Sequence, residues 1–246
     1  MENKLDIVIL SDTHGYLPPI DKPFDLLLMC GDISPAHDHY YAYQINWFQH
    51  EFADWVNSLP YKDENSKVVF IGGNHDCALE RIDKSALDCF YISTNNRAVY
   101  LKNTTYDFAY DLNGEPKTLS IFGTPYCKIF GNWFFMVSDE KLKQKYSACP
   151  DDIDIVISHD AADINNLGLI KEGHYANINA GNVVLADMIL EKKPKYYFCG
   201  HIHSGNHSLE KVNDTYMANV SYVNEAYYPM HDILYISIDK ETKNLI

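Results

Sequence analysis

The residues best suited to chemistry in this 246-residue chain stand at the ends of short apolar runs. Residues 6–10 end at Ser11-Asp12-Thr13-His14-Gly15, residues 26–30 at Gly31-Asp32, and residues 68–71 at Gly72-Gly73-Asn74-His75. Residues 153–157 end at Ser158-His159-Asp160, and residues 196–199 at Gly200-His201-Ile202-His203. Each cluster offers oxygen or imidazole donors and no thiolate. That set suits Mn, Fe, Zn or Mg and not a cysteine-rich structural zinc site. Seven candidates (Asp12, His14, Asp32, Asn74, His159, His201 and His203) exceed what one tetrahedral ion needs. They fit two adjacent ions that share a carboxylate. At a strand end, residues i and i+2 point the same way, so the rings of His201 and His203 could serve one ion each. The same spacing holds for Asp12 and His14. Flanking glycines at 15, 31, 73 and 200 let the backbone turn beside the ligands.

Continuous apolar runs of this length suit strands buried on both faces, as in parallel sheets covered by helices. In open α/β sheets, ligands bind where such strands end at their carboxyl side. Between the second and third runs, Ile45, Phe48, Phe52, Val56 and Leu59 recur at helical spacing, Trp55 widens the stripe and Pro60 stops it. This predicts a β-α-β crossover. From about Cys89 to Thr124 the chain reads as antiparallel strands at 98–101, 106–110 and 119–122, with Asn113-Gly114 as a hairpin turn. Residues 123–135 read as an aromatic loop, 138–146 and 182–193 as helices, and 233–238 as a closing strand. No repeat or linker divides the chain, so residues 1–246 are expected to form one domain.

Composition narrows the function classes. Hydrophobic residues make up 46% and charged residues 22%, enough for a sizeable core. A net charge of −14 repels phosphate backbones and anionic membranes, which disfavours nucleic-acid binding. Bound divalent ions can still make one pocket locally positive. No apolar run approaches the ~20 residues of a membrane span. The opening Met1-Glu2-Asn3-Lys4 carries no leader pattern. Six cysteines without Cys-x-x-Cys spacing read as reduced thiols, so the expected compartment is the cytoplasm. Nothing in the sequence speaks to oligomeric state.

Plainer readings stand beside each motif. An isolated Asp after a strand is most often a turn former, but no capping rule asks for His and Asn at the other strand ends. His37 and His39 follow the second motif closely enough to reach a substrate. Even so, they read as solvated, as do His50, His174, His207 and His231. Tyr40, Tyr41 and Tyr43 read as packing at a helix start, and Trp133-Phe134-Phe135 as core or pocket wall. Cys30 and Cys199 read as small buried apolar residues without a base to activate them.

In order, Asp12-x-His14, Gly31-Asp32, Gly73-Asn74-His75-Asp76, Ser158-His159 and Gly200-His201-x-His203 resemble the five signatures of calcineurin-like metallophosphoesterases, over about residues 7–205. Trp55-Val56-x-x-Leu59-Pro60, Gly123-Thr124-Pro125-Tyr126 with Asn132-Trp133, and residues 195–205 resemble a narrower group. It is the class III cyclic-nucleotide-phosphodiesterase-like group, which includes vertebrate metallophosphoesterase-domain-containing proteins. The resemblance implies a four-layer α/β/β/α metallophosphoesterase sandwich holding two divalent or trivalent metal ions. Asp12, His14, Asp32 and His203 would bind one ion. Asp32, Asn74, His159 and His201 would bind the other, with Asp32 bridging and His75 left outside as proton donor. The implied reaction is hydrolysis of a small phosphodiester or nucleotide-like ester by a metal-bridging hydroxide. A phosphomonoesterase and a non-catalytic scaffold of the same fold are the alternatives.

Physical chemistry agrees with those roles. Two ions ~3.5–4 Å apart neutralise phosphoryl oxygens, and an imidazole can protonate the leaving oxygen. Departures from the pattern bear on substrate. Ile33-Ser34-Pro35 follows Asp32 where protein phosphatases carry Asp-Arg-Gly, and the only arginines are Arg81 and Arg97. A protein phosphatase is therefore not expected. Asp76 stands where Glu is frequent, and Asp160-Ala161-Ala162-Asp163 where the narrower group has Gly-Pro-Pro after the fourth motif's His. The second change alters the pocket rim.

Overall fold

The structure is a computed structural model that describes residues 3–173 and 175–246. Met1, Glu2 and His174, for which a missing leader and a solvated ring were expected, lie outside the described residues. Strands β1 (Lys4–Leu10), β2 (Leu26–Met29) and β3 (Lys67–Phe70) run parallel, followed by β4 (Ala98–Tyr100). The crossover from β2 to β3 is a continuous helical segment: α1 (Tyr41–Trp47), a π-turn (Phe48–Phe52) and α2 (Ala53–Ser58). Two short helices, α3 (Cys77–Arg81) and α4 (Lys84–Ser93), join β3 to β4.

The second half begins with the hairpin β5 (Thr104–Leu112) and β6 (Glu115–Thr124). Asn113 (φ 57°) and Gly114 (φ 88°) both adopt the left-handed conformation that a two-residue hairpin turn requires. A small parallel ladder of β7 (Cys127–Lys128) and β8 (Met136–Val137) leads to α5 (Asp139–Tyr146), β9 (Ile155–Ser158) and α6 (Val183–Lys192). The Asn182 side chain caps α6 by accepting from the Leu185 N–H, and left-handed Lys193 before Pro194 ends it. The chain closes with β10 (Tyr196–Cys199), β11 (Glu210–Val212), β12 (Thr215–Asn219) and β13 (Leu234–Asp239).

Two sheets result, ordered β13-β1-β2-β3-β4 and β11-β12-β10-β9-β6-β5. Alternation along each strand divides its side chains between two cores. Leu5, Ile7 and Ile9 of β1 and Tyr196 and Phe198 of β10 fill the space between the sheets. Val8 and Leu10 face outward onto Phe48, Phe52, Val56 and Phe90 of the first helical layer. Tyr197 and Cys199 face Leu142, Leu185 and Ile189 of the second. The order is therefore helix, sheet, sheet, helix, as the family resemblance implied. No helix of the described residues is long and apolar enough to cross a membrane.

Several local expectations need correction. Ala98–Tyr100 pairs parallel with β3 in the first sheet and does not join the antiparallel hairpin. The stretch from Cys89 begins in helix α4. Residues 123–135 include one strand of a two-stranded ladder. The helix predicted from Ile45 already begins at Tyr41.

Candidate metal centre

All five motif clusters follow strands whose carboxyl ends point to one seam between the two sheets. Backbone pairing continues past the strand ends and fixes their spacing. The Asp12 N–H donates to Gly31 O, His14 N–H to Asp32 O, and Gly200 N–H to His159 O. Three turns then bend hard. Asp12, His14, Asp32 and His201 all have positive φ, between 44° and 68°. Such a conformation costs a non-glycine residue about 1 kcal/mol or more and persists only where its surroundings impose it. This geometry also corrects one expectation. Because Asp12 and His14 lie in a turn, strand alternation does not govern them, and both aim at the same group of ligands.

Two groups of potential ligand atoms form: Asp12, His14 and His203, and Asp32, His159 and His201. His203 Nε2 lies 3.3 Å from Asp12 Oδ1 and 3.4 Å from His14 Nε2. Asp32 Oδ2 lies 3.7 Å from His14 Nε2 and 3.3 Å from His159 Nε2, between the groups. Asn74 Oδ1 adds a contact of 2.9 Å to His159 Nε2. Thus His201 and His203 do go to different groups, and all seven candidate ligands converge. His75 stands outside both groups, its ring centroid 5.0 Å from that of His14 in a T-shaped contact.

The surrounding hydrogen bonds aim these donors. His203 Nδ1 donates to the Asn224 carbonyl at 2.9 Å, and His159 Nδ1 to the Cys30 carbonyl at 3.0 Å. When neutral, each ring therefore presents the lone pair of Nε2 to the centre, the usual outer support of a metal-bound histidine. Ser221 Oγ and the His201 N–H donate to Asp12 Oδ2, and the His75 N–H donates to Asp32 Oδ1. The other oxygen of each carboxylate faces the neighbouring imidazoles. Gly200 and Gly73 make room: an added Cβ would sit 2.1 Å from Asp12 Oδ2 and 2.3 Å from Asp32 Oδ1.

Electrostatics show what this packing lacks. Burial raises the carboxyls of Asp12 and Asp32, yet His203 and His159 pull them well below the usual range. Burial pushes His159 down, but the charge and hydrogen bond of Asp32 overcome it and hold the ring up at about 10. Burial lowers His14 and His201 to about 4 each, outweighing the nearby carboxylates that raise them; the charge of His159 adds to the lowering of His201. Within the chain itself, the buried carboxylates have His159 and His203 as their charge partners. Among the described residues, His14 Nδ1 is buried without a partner. Oxygen and imidazole lone pairs that converge without enough protein donors fit divalent cations. Asp12, His14 and His203 could hold one, and Asp32, Asn74, His159 and His201 the other.

Five supporting residues escaped the sequence reading. Asp76 is fully buried and accepts from Ile33 N–H, Ser34 N–H, Ser34 Oγ and Gly73 N–H, tying the second motif to the third. Gln44 and Ser221 are likewise buried and polar. His39 is not merely solvated, since its Nε2 lies 2.9 Å from His75 Nδ1. His207 is also engaged, through contacts to the carbonyls of His203 and Asn219. Asp76 follows Gly73-Asn74-His75 directly and could have been suspected. The others depend on contacts between distant segments.

Comparison with known proteins agrees with this geometry. A family model described as calcineurin-like phosphoesterase matches residues 5–205. The human protein named metallophosphoesterase domain-containing protein 1 is 25% identical over 247 residues, covering 94% of this chain and 70% of the relative. A UPF0046 protein of Caenorhabditis elegans is 26% identical, covering 89% of this chain and 76% of its own. Among solved structures, phosphopantetheinyl hydrolase of Mycobacterium tuberculosis matches the fold with a TM-score of 0.53 at 12% identity, over 92% of both chains.

Proposed function

The chain belongs to the calcineurin-like phosphoesterase family, and on that premise we propose that it hydrolyses small phosphodiesters or nucleotide-like esters at a two-metal centre. The observation that carries this reading is Asp32 Oδ2, set between His14 and His159 so that one carboxylate serves both ligand groups. When bound, two cations supply Lewis-acid charge for the phosphoryl oxygens and lower the pKa of a water. The remaining work belongs to the chain's own residues. Asp12, His14 and His203 hold one side of the phosphoryl site, and Asn74, His159 and His201 the other. His75, outside both groups, supplies a proton to the leaving oxygen.

Features of the mouth support a diester over a monoester. A recess of about 350 Å³ opens beside His14, lined by Gly15, Tyr16, Pro35, Ala36, His37 and Tyr227. Across the centre, Trp133 (41% exposed) lies 4.6 Å from the His75 ring and Phe130 (52% exposed) lies 4.9 Å from His201. Aromatic surface thus borders both ligand groups, which suits the organic substituents of a diester. A dianionic monoester favours an added guanidinium fork. Arg97 instead donates to the carbonyls of Asp63 and Ser66, and Arg81 lies over the Phe134 ring. The net charge of −14 argues against nucleic acid as the substrate. Free cysteines, five of them buried, support a reducing compartment such as the cytoplasm.

The test is turnover of bis-(p-nitrophenyl) phosphate and of p-nitrophenyl phosphate with added manganese, then with a chelator. Metal-dependent cleavage with preference for the diester supports the proposal. Preference for the monoester favours the phosphatase alternative. No metal-dependent turnover of either favours a binding scaffold.

A further inference from the structure

We infer that His39 is a positioning residue for His75, fixing the ring so that the nitrogen remote from His39 serves the leaving oxygen. The inference rests on the proposal that His75 is the proton donor. His39 Nε2 and His75 Nδ1 lie 2.9 Å apart, with ring centroids 5.0 Å apart and planes 38° from each other. Trp133 covers the pair, 4.6 Å from the His75 ring and 5.4 Å from His39. With Nδ1 engaged, Nε2 is the polar atom that His75 has left to offer.

The contact is built, not incidental. His39 sits in the segment between the second motif and α1, and His75 in the turn between β3 and α3. Four further bonds hold these segments. The Gln44 amide nitrogen donates to Asp38 O (3.0 Å) and to His75 O (2.8 Å), while its oxygen accepts from the Ala78 N–H (3.0 Å). The Cys77 thiol donates to the His39 carbonyl at 2.9 Å. Gln44 and Cys77 are buried, and the bonds of Gln44 to His75 O and Ala78 N–H are fully buried, where water does not readily replace them. Both loops are thereby held at the separation the two imidazoles need.

The step balances in protons. The proposed step requires a proton on each nitrogen of His75, with Nδ1–H donated to His39. As the P–O bond to the leaving group breaks, Nε2–H breaks and an O–H bond forms on the leaving oxygen. His75 is then neutral, with Nδ1–H still on His39. His39 accepts throughout and never exchanges a proton with substrate.

Two measurements decide the matter, on the full chain. The first reads the imidazole tautomer and Nδ1 proton of His75 by nitrogen-15 NMR, which needs no turnover. In the unmodified protein, a slowly exchanging Nδ1 proton is expected; it should vanish in His39→Ala and persist in His39→Gln, whose amide oxygen can accept it. Unchanged His75 signals in His39→Ala overturn the inference, whatever the activity. The second compares diesters with p-nitrophenyl and with alkyl leaving groups. His39→Ala should lower kcat about tenfold to a hundredfold for the alkyl group, which needs a proton, and much less for p-nitrophenyl. KM and metal content should stay unchanged, and His39→Gln should recover most of the loss. Equal loss for both leaving groups in His39→Ala, alongside a selective loss in His75→Ala, overturns the role of His39 alone. Equal loss for both in His75→Ala overturns the donor assignment of the preceding proposal.

Discussion

His14 Nε2 and His203 Nε2 face each other across 3.4 Å in a buried space, with Asp12 Oδ1 3.3 Å from the second of them. His203 already gives its Nδ1–H to Asn224, so its inner nitrogen offers a lone pair when neutral. Removing one ring should therefore empty one group and spare the other. We expect His203→Ala to fall from two bound ions to about one, His201→Ala likewise, and Asp32→Ala to retain almost none. Elemental analysis after dialysis checks this. Equal metal content in all three variants would deny the sharing of Asp32.

Proton competition follows from His159. Asp32 holds that ring up at about 10 in the metal-free chain, against the effect of burial. The ring is therefore protonated at neutral pH, and a cation must displace the proton to reach Nε2. Metal affinity should rise with pH up to about 10, with proton release on binding. Titration calorimetry in buffers of different ionisation heat reads that release directly. Binding heats that do not depend on the buffer would refute it.

Gly200 permits a contact that no other residue allows. A Cβ there would sit 2.1 Å from both Asp12 Oδ2 and Ser11 Oγ. Gly200→Ala should displace the Asp12 carboxylate, cost about 1–3 kcal/mol in stability and weaken the first metal. Thermal melts with and without manganese test this. A smaller stabilisation by metal than in the unmodified protein is expected.

Away from the site, Lys62 Nζ joins Asp6 Oδ2 (2.6 Å) and Asp25 Oδ2 (2.7 Å), holding β1 beside β2. Burial raises the Asp6 carboxyl, but Lys62, Ser237 and Lys4 outweigh it and the net shift is downward. A lowered carboxyl stabilises the fold above its unfolded pKa near 4, and the benefit is lost as pH falls through the lower folded value. Lys62→Met should cost about 1 kcal/mol at pH 7, since the pair is partly solvated. Urea unfolding should show the difference shrinking below pH 4. A constant difference from pH 7 to pH 3 would assign the effect to packing.

Much of the site is legible because its residues follow apolar runs directly. Ser11 to Gly15 and Gly200 to His203 need no knowledge of the sheet to be recognised as ligand-bearing turns. Other parts escape for physical reasons. The helix α3 is only five residues long, and of the ten residues of α4 only Phe90 is buried, so no helical stripe stands out. The three residues of β4 alternate like any strand, and the sequence does not say which neighbour they pair with. The π-turn at Phe48–Phe52 leaves an ordinary apolar stripe behind it. His39 and Gln44 matter through partners more than thirty positions away, which local spacing cannot reveal.

Asp32 is the carboxylate on which a two-cation centre stands or falls. Anomalous diffraction from crystals grown with manganese measures this directly. Two peaks are predicted, ~3.5–4 Å apart and flanking Asp32 Oδ2, one within reach of Asp12, His14 and His203 and the other near Asn74, His159 and His201. A single peak, or peaks on one side of Asp32 only, would contradict it.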